Sequence, residues 1–236
     1  ALAWTRFAPG LAPRDAADGF RKAVDVGGGE DYRHLWLWLA RVRLGENAAA
    51  TKELTEYLAA RKPDPTDDWY PVIAGLLAGT VTEDAALAAA KTDDAHKSTE
   101  RLCEAAFYAG MIRALRGDVA GAIPLLDRSL ATVVVRFAEY VGARRWRPAL
   151  LLGATTRPAP AGAAKSAARS IVTPDPKGPA ARAGLRDGDV VTGVDGDALA
   201  AARLDELLRE ARLGATMRLD VARDGATMRV EVVLGE

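Results

Sequence analysis

The sequence predicts two domains of different class, an all-α array of helical hairpins at residues 1–147 and a smaller α+β domain at residues 148–236. Three observations lead to this prediction. Glycines recur in the first domain at about the length of one helical hairpin. The apolar residues change from a helical period to alternation in the second domain. A glycine-rich motif, Gly178 to Gly196, lies among the alternating segments.

The first domain is predicted to be a succession of helices. In its clearest segment, Tyr32 to Leu44, apolar residues at i, i+3, i+4 and i+7 form one stripe: Leu35, Trp38, Leu39 and Val42. Gly45 ends this helix, and the next is predicted at Glu46 to Ala60. The polar segment Lys62 to Asp68, which contains two prolines, then interrupts the helical pattern.

Four glycines mark a repeat in this domain. Their separations are 35, 34 and 38 residues, and each follows an apolar segment: Gly10, Gly45, Gly79 and Gly117. Glycine ends a helix in a left-handed conformation at no steric cost, and a short turn then brings the chain back. A period near 34 residues is that of tetratricopeptide hairpins. An ordinary helical bundle, in which the glycine spacing arises by chance, is the alternative.

Three segments of the helical domain resemble bacterial tetratricopeptide proteins related to envelope lipoproteins: Trp36 to Gly45, Cys103 to Gly110 and Phe137 to Ala143. The resemblance covers about residues 1–147 through degenerate motifs, and it favours the cell envelope or periplasm over the cytoplasm. Only Ala1 to Ala8 precede Gly10. Because this is shorter than a full helix, the array is predicted to begin within a repeat.

Four segments of the second domain are predicted strands: Ser170–Thr173, Asp189–Val194, Met217–Ala222 and Met228–Leu234. Arg223 to Ala226 is predicted to join the last two as a hairpin turn, because an Asp-Gly pair accepts the positive φ angles of a tight turn. One amphipathic helix is predicted at Ala201 to Arg212. The segment at residues 156–168, rich in alanine, proline and glycine, is predicted to be a flexible loop.

The segment Gly178 to Gly196 resembles, nearly residue for residue, the core of bacterial PDZ domains, the form appended to periplasmic serine proteases and certain metallo-aminopeptidases. In that pattern Pro179 opens a helical turn, Gly184 ends it and Leu185 fills the core. The resemblance implies a small, partly open β-barrel with two helices. It also implies that loop amides bind a free C-terminal carboxylate and that an extended peptide is added beside a strand.

The PDZ resemblance implies a carboxylate-binding loop and the start of a strand at Leu152, Gly153, Ala154 and Thr155, where the family more often has a bulkier residue than Ala154. A bulky residue in place of Gly153 is expected to abolish peptide binding while the domain stays folded. The alternative is that residues 150–152 merely end the helical array.

The predicted helix at Ala201 to Arg212 forms the other wall of this peptide-binding groove. Its apolar face must partly cover the core, so either Leu204 or Leu208 is expected at the groove rim. Three arginines precede the loop and are interpreted as solvated surface residues, with attraction of the peptide carboxylate as the alternative: Arg144, Arg145 and Arg147.

The composition argues against several classes of function. The 32 Lys and Arg residues are balanced by 32 Asp and Glu residues, and each half of the chain is balanced separately, so no nucleic-acid partner is predicted. No apolar run is long enough to span a bilayer. The single cysteine, Cys103, and the two histidines, His34 and His96, lack neighbours at metal-ligand spacing. Neither a nucleophile elbow nor a phosphate-binding loop occurs. The sequence therefore predicts no catalysis, cofactor or metal.

The predicted function is that of a protein–protein interaction scaffold or adaptor. The helical array would bind a partner protein, and the PDZ groove would bind the C-termini of proteins or peptides, or extended peptides. One alternative is a non-catalytic regulatory fragment of a larger protease or envelope complex, whose catalytic domain lies outside this chain. Another is a purely structural module with a degenerate groove.

Overall fold

The computed structural model describes residues 7–26, 31–66, 68–158 and 170–236. The chain divides into two compact units, Ala1–Ala143 and Arg144–Glu236. The boundary predicted from the sequence, at residue 147, lies slightly further along the chain. Among the described residues, no helix is both long and apolar enough to cross a membrane.

The described part of the first unit is helical, and its last helix continues across the division between the units. The helices are α1 (Pro13–Asp25), α2 (Tyr32–Val42), α3 (Asn47–Ala60), α4 (Tyr70–Ala78), α5 (Glu83–Ala89), α6 (Ala95–Leu115), α7 (Val119–Ala131) and α8 (Ala138–Leu152). Each of the first three packs on the helix that follows it, and α6 packs on α7. The predicted helical region with paired helices is confirmed.

The four periodic glycines all adopt the left-handed conformation. Their φ angles lie between 79° and 84°: Gly10, Gly45, Gly79 and Gly117. Residues with a side chain adopt such angles only at a cost, which is why glycine recurs there. After two of these turns a side chain caps the next helix. Thr82 accepts a hydrogen bond from the Ala85 amide before α5, and Asp118 accepts one from the Gly121 amide before α7.

Helix α2 is buried more widely than the predicted stripe. Every residue from Leu35 to Ala40 is buried, because α2 packs against both α1 and α3. Trp36, which falls outside the predicted stripe, is the centre of an aromatic cluster. Four rings have centroids 5.4–6.2 Å from its own: Phe7, Phe20, Phe107 and Tyr108. A period of 3.6 identifies one buried face, and it misses the second face of a helix that packs on both sides.

The second unit contains a five-stranded antiparallel sheet in the order β1-β2-β3-β4-β5. The strands are β1 (Ala154–Pro158), β2 (Ser170–Pro174), β3 (Val190–Val194), β4 (Thr216–Arg223) and β5 (Ala226–Val233). Helix α9 (Pro179–Arg182) lies between β2 and β3. A 3-10 helix (Leu199–Arg203) and helix α10 (Leu204–Glu210) lie between β3 and β4. The predicted α+β fold is confirmed.

The predicted flexible loop at residues 156–168 is wrong at its beginning. Thr156, Arg157 and Pro158 belong to β1 and pair with Val172, Ile171 and Ser170 of β2. A proline is tolerated there because β1 is an edge strand, where a missing amide on the outer side removes no ladder hydrogen bond. Residues 159–169 lie outside the described residues. The helix predicted at Ala201 to Arg212 is the 3-10 helix followed by the shorter α10.

A buried ion pair explains the aspartate of the Gly188-Asp189 motif. The side chain of Asp189 is 1% exposed, and Arg223 at the end of β4 donates from Nε to its Oδ1 at 2.7 Å and from Nη2 to its Oδ2 at 2.6 Å. The same guanidinium donates to the Gly184 carbonyl at 2.8 Å. The ion pair therefore ties the turn after α9 to the end of β4, and Arg223 lowers the pKa of Asp189.

Replacing Asp189 by asparagine is expected to destabilise the second unit by about 3 kcal/mol, because Arg223 loses its charged partner in a buried site. Hydrogen exchange of the β4 amides in the full chain measures this loss. Asp220→Asn is the matched control, because its partner Arg229, 2.8 Å away, is largely exposed, and it should cost less than about 1 kcal/mol.

The lowered pKa of Asp189 also predicts the direction of a pH effect. The pair stabilises the fold above the unfolded pKa of aspartate, about 4, and the contribution is lost as the pH falls through the folded value. The asparagine variant should lack this acid-induced loss. Equal losses of stability in Asp189→Asn and Asp220→Asn would contradict the role given to the buried pair.

Candidate peptide-binding site

The site begins where α8 ends and β1 starts. Leu152 is the last residue of α8, Gly153 turns the chain with a φ of 64°, and Ala154 is the first residue of β1. The Gly153 carbonyl accepts a hydrogen bond from the Asp175 amide at 2.9 Å, at the end of β2. The turn is therefore fixed to the sheet on one side.

Gly153 is also pressed against the start of α9. A Cβ atom at Gly153 would lie 2.2 Å from Cδ and 2.6 Å from N of Pro179, and 2.8 Å from the Cα of Gly178. A Cβ at Gly178 would in turn lie 2.6 Å from the Gly153 carbonyl oxygen. Two glycines are needed here because the two backbone segments touch directly.

One edge of β1 faces away from the rest of the sheet. In the described sheet β1 has β2 as its neighbour on one side. The Asp175–Gly153 hydrogen bond marks a bonded pair, and bonded and non-bonded pairs alternate along an antiparallel ladder. Thr155 and Arg157 therefore bond to β2, whereas Ala154 and Thr156 direct their amides and carbonyls toward the outer edge.

Helix α10 forms the wall opposite this edge. Thr156 of β1 donates its hydroxyl to Oδ1 of Asp205 on α10 at 2.7 Å. Leu204 and Leu208 are each 1% exposed, so both side chains belong to the core. The expectation that one of them lies at the groove rim is not met in the free domain. Leu207, between them on the helix, is half-buried.

Arg147 holds the other end of α10. Its guanidinium donates to the carbonyls of Leu208 and Arg209, both at 3.1 Å, and to that of Ala211 at 2.9 Å. These carbonyls lie at the C-terminal end of the helix, where a positive charge is favourable. The prediction that Arg147 is a solvated surface residue is wrong, since it is 6% exposed. Arg144 and Arg145 are exposed.

The structure brings the predicted site residues into one region. Leu152 and Ala154 are buried and Thr155 is half-buried, in sequence along the end of α8 and β1. The hydrogen bond from Thr156 to Asp205 connects this strand to the helix that carries Leu204 and Leu208. Sequence reasoning missed Thr156 and Asp205, and it wrongly placed Arg147 at the surface. Thr156 lies in the segment that was taken for a low-complexity loop, and no local pattern marks Asp205 or the partners of Arg147.

The second unit matches a known domain family. The PDZ domain family model matches residues 152–234, the segment that begins at the predicted loop and ends after β5. The C-terminal unit contains a PDZ domain. The match begins after most of the helical region, so the assignment of that region to tetratricopeptide repeats stays a prediction. No curated protein matches the chain.

The helical unit has a surface cavity of its own. Its volume is about 430 Å³, with an apolar floor of Leu76, Val81, Ala109 and Ile112 and a charged rim of Glu83, Arg113, Arg116 and Asp118. Arg113 donates to both carboxylate oxygens of Glu83, at 2.7 and 2.9 Å, and to Asp118 at 2.8 Å. This size falls in the range of ligand pockets.

The other reactive side chains of the helical unit have structural partners. Cys103 is buried with its Sγ 3.5 Å from the Ser129 hydroxyl, and burial raises the pKa of its thiol. His34 stacks on Tyr57 with 3.5 Å between ring centroids. Burial lowers the pKa of His34. Within the described ranges, no group of three or more His, Cys, Asp or Glu residues is arranged to hold a metal ion.

Proposed function

We propose that this chain is a non-catalytic adaptor whose PDZ domain binds an extended peptide that ends in a free carboxylate. The observation that carries the proposal is the outer edge of β1, which no strand of the described sheet pairs with and which begins directly after the Gly153 turn. A peptide strand that pairs with Ala154 and Thr156 would extend the sheet on this side. Its last residue would then reach the turn at Leu152, Gly153 and Ala154.

Backbone amides are suited to binding the peptide carboxylate. Amide donors at the turn carry no side chain that must be ordered, and charge-assisted hydrogen bonds are stronger than neutral ones. An apolar last side chain of the peptide would reach Leu204 and Leu208, which are buried in the free domain, only when the groove widens.

The experiment is a display screen of the full chain against random peptides with free C-termini. The best peptide is then compared with the same peptide amidated at its C-terminus. Amidation should weaken binding about 10- to 150-fold, because a hydrogen bond to a charged group contributes about 1.5–3 kcal/mol. Isothermal titration calorimetry measures both affinities. Equal affinities would contradict recognition of a carboxylate.

The helical unit supplies the second half of the adaptor proposal. Its cavity combines an apolar floor with charged groups of both signs, which suits a protein surface or peptide segment of mixed character. An adaptor holds two partners at once. Cross-linking of partners to the helical unit should therefore be unaffected when the groove is first saturated with peptide. Cross-linking of partners to the groove should be lost under the same condition.

The regulatory-fragment alternative makes a different prediction. A chain that serves a larger protease would be found joined to a catalytic domain, and mass spectrometry of the native protein decides between the two. A single native species that starts at Ala1 would argue against the fragment. A native polypeptide with a catalytic domain upstream would replace the adaptor proposal.

A further inference from the structure

The groove of the free domain is bridged by one hydrogen bond. Thr156 on β1 and Asp205 in the first turn of α10 are joined through their side chains at 2.7 Å. The two residues belong to the two walls between which, on the proposed function, a peptide strand has to lie. An added strand would be spaced about 4.8 Å from β1. It would therefore occupy the space that this bond crosses.

The side-chain hydrogen bonds at the two ends of helix α10 differ in burial. At the C-terminal end, the buried guanidinium of Arg147 donates three hydrogen bonds to helix carbonyls. At the N-terminal end, the Thr156–Asp205 bond is exposed to solvent. A buried charge left without partners is costly, whereas an exposed hydrogen bond is exchanged for bonds to water at little cost. The Thr156–Asp205 bond is therefore the contact between α10 and β1 that a peptide can replace at little cost.

We propose that the Thr156–Asp205 hydrogen bond is a latch that keeps the groove narrow, and that it breaks when the groove widens to admit a peptide. This regulation rests on the proposed function of the groove. In the free domain the latch holds the walls together, and in the peptide complex it is broken. Removal of the latch therefore changes the energy of the free state and leaves that of the complex unchanged.

The latch predicts a specific kinetic signature for Thr156→Val. The variant keeps the β-branched shape and loses the hydroxyl. Binding of the peptide selected in the screen should tighten about three- to tenfold, the range that one exposed hydrogen bond allows. The gain should appear in the association rate, with the dissociation rate unchanged. Stopped-flow fluorescence with the labelled peptide and the full chain measures both rates.

Thr173→Val is a matched control within the same domain. Thr173 of β2 also donates its hydroxyl to an aspartate, Asp187, at 2.7 Å, in an exposed bond outside the groove. This variant should bind the peptide with the wild-type rates. An unchanged association rate in Thr156→Val would overturn the latch, and so would weaker binding, which would show that Thr156 contacts the peptide.

A second measurement needs no ligand and separates the latch from the proposed function. The Leu204 methyl groups are buried in the closed groove and report its opening through methyl resonance position and relaxation dispersion. Both should change in Thr156→Val and stay as in the wild type in Thr173→Val. If no peptide binds any variant, the proposed function fails, and the Leu204 signals still decide the latch. Identical signals in the wild type and Thr156→Val would overturn it.

Discussion

Replacing Gly153 by valine is expected to destabilise the second unit strongly, by about 2–6 kcal/mol. A β-branched residue at a positive φ costs about 1–3 kcal/mol. A Cβ 2.2 Å from Pro179 Cδ and 2.6 Å from its backbone nitrogen adds about 1–3 kcal/mol of overpacking. The clashing atom belongs to a ring and the backbone, so it cannot rotate away. Loss of peptide binding in this variant would therefore follow from unfolding.

The contact with Pro179 argues against the sequence-based expectation that a bulky residue at Gly153 blocks the carboxylate in a folded domain. Gly214→Val is the matched control, because Gly214 has a φ of 78° and no atom would lie within 4 Å of its added Cβ. Hydrogen exchange of the β4 and β5 amides in the full chain compares the two. The Gly153 variant should lose about 1–3 kcal/mol more than the control. Equal losses would show that contact with Pro179 is unimportant.

The second large effect is expected at Glu104, a buried carboxylate of the helical unit. Tyr32 donates its hydroxyl to Glu104 Oε2 at 2.6 Å, and Trp69 donates its indole N–H to the same oxygen at 2.9 Å. Burial, together with the charge of nearby Glu139, raises the pKa of Glu104 to about 8. Burial also raises the pKa of Glu139, which accepts a hydrogen bond from Tyr108 at 2.8 Å. The helical core therefore favours the neutral carboxyl at Glu104.

The raised pKa of Glu104 determines the direction of the pH effect. Below the unfolded value, about 4.3, the group is protonated in both states and costs nothing. As the pH rises toward about 8, the unfolded chain ionises more readily than the folded one, and the helical unit loses stability. Glu104→Gln removes this loss. Both donors use one oxygen, so the single amide oxygen of glutamine can accept both hydrogen bonds.

At pH 9 the glutamine variant is expected to be about 5 kcal/mol more stable than the wild type, at about 1.4 kcal/mol for each pH unit between the unfolded pKa of about 4.3 and the folded pKa of about 8. At pH 4 the two should be nearly equal. Urea unfolding followed by tryptophan fluorescence measures this, since three described tryptophans lie in the helical unit. Glu100→Gln, one turn earlier on α6 and paired with Arg136, should keep nearly the wild-type pH dependence. An alkaline loss of stability that persists in Glu104→Gln would contradict this account.

The sequence predicted those parts of the fold that depend on local backbone geometry. The left-handed glycines, the alternating strands and the Gly178 to Gly196 motif each need particular residues at particular positions, and these leave a pattern in the chain. Contacts between segments that are distant in sequence leave no such pattern. Arg147 and Ala211 lie 64 residues apart, and Thr156 and Asp205 lie 49 apart. These hydrogen bonds depend on how α8, β1 and α10 pack together, and the periodicity of residues along the sequence does not predict that packing.

Burial on both sides of an element was missed for a related reason. Trp36 was placed outside the apolar stripe of α2 because one period describes one face, whereas two neighbouring helices cover two. The strand character of Thr156 to Pro158 was missed because composition was taken to indicate a loop, whereas pairing with β2 fixes the backbone of these residues.

The placement of α10 beside β1 also bears on how the chain behaves when it is crowded with copies of itself. An unpaired strand edge is a template on which any other chain can add a strand, and this is a common route to aggregation. At β1, the bonded side chains of Thr156 and Asp205 stand in the way of such an encounter. At the opposite edge, β5 carries the exposed charges of Arg229 and Glu231. Side chains at both edges of the sheet therefore oppose self-association. At β1 the opposing group is a single hydrogen bond, so a peptide that breaks it can still add a strand there.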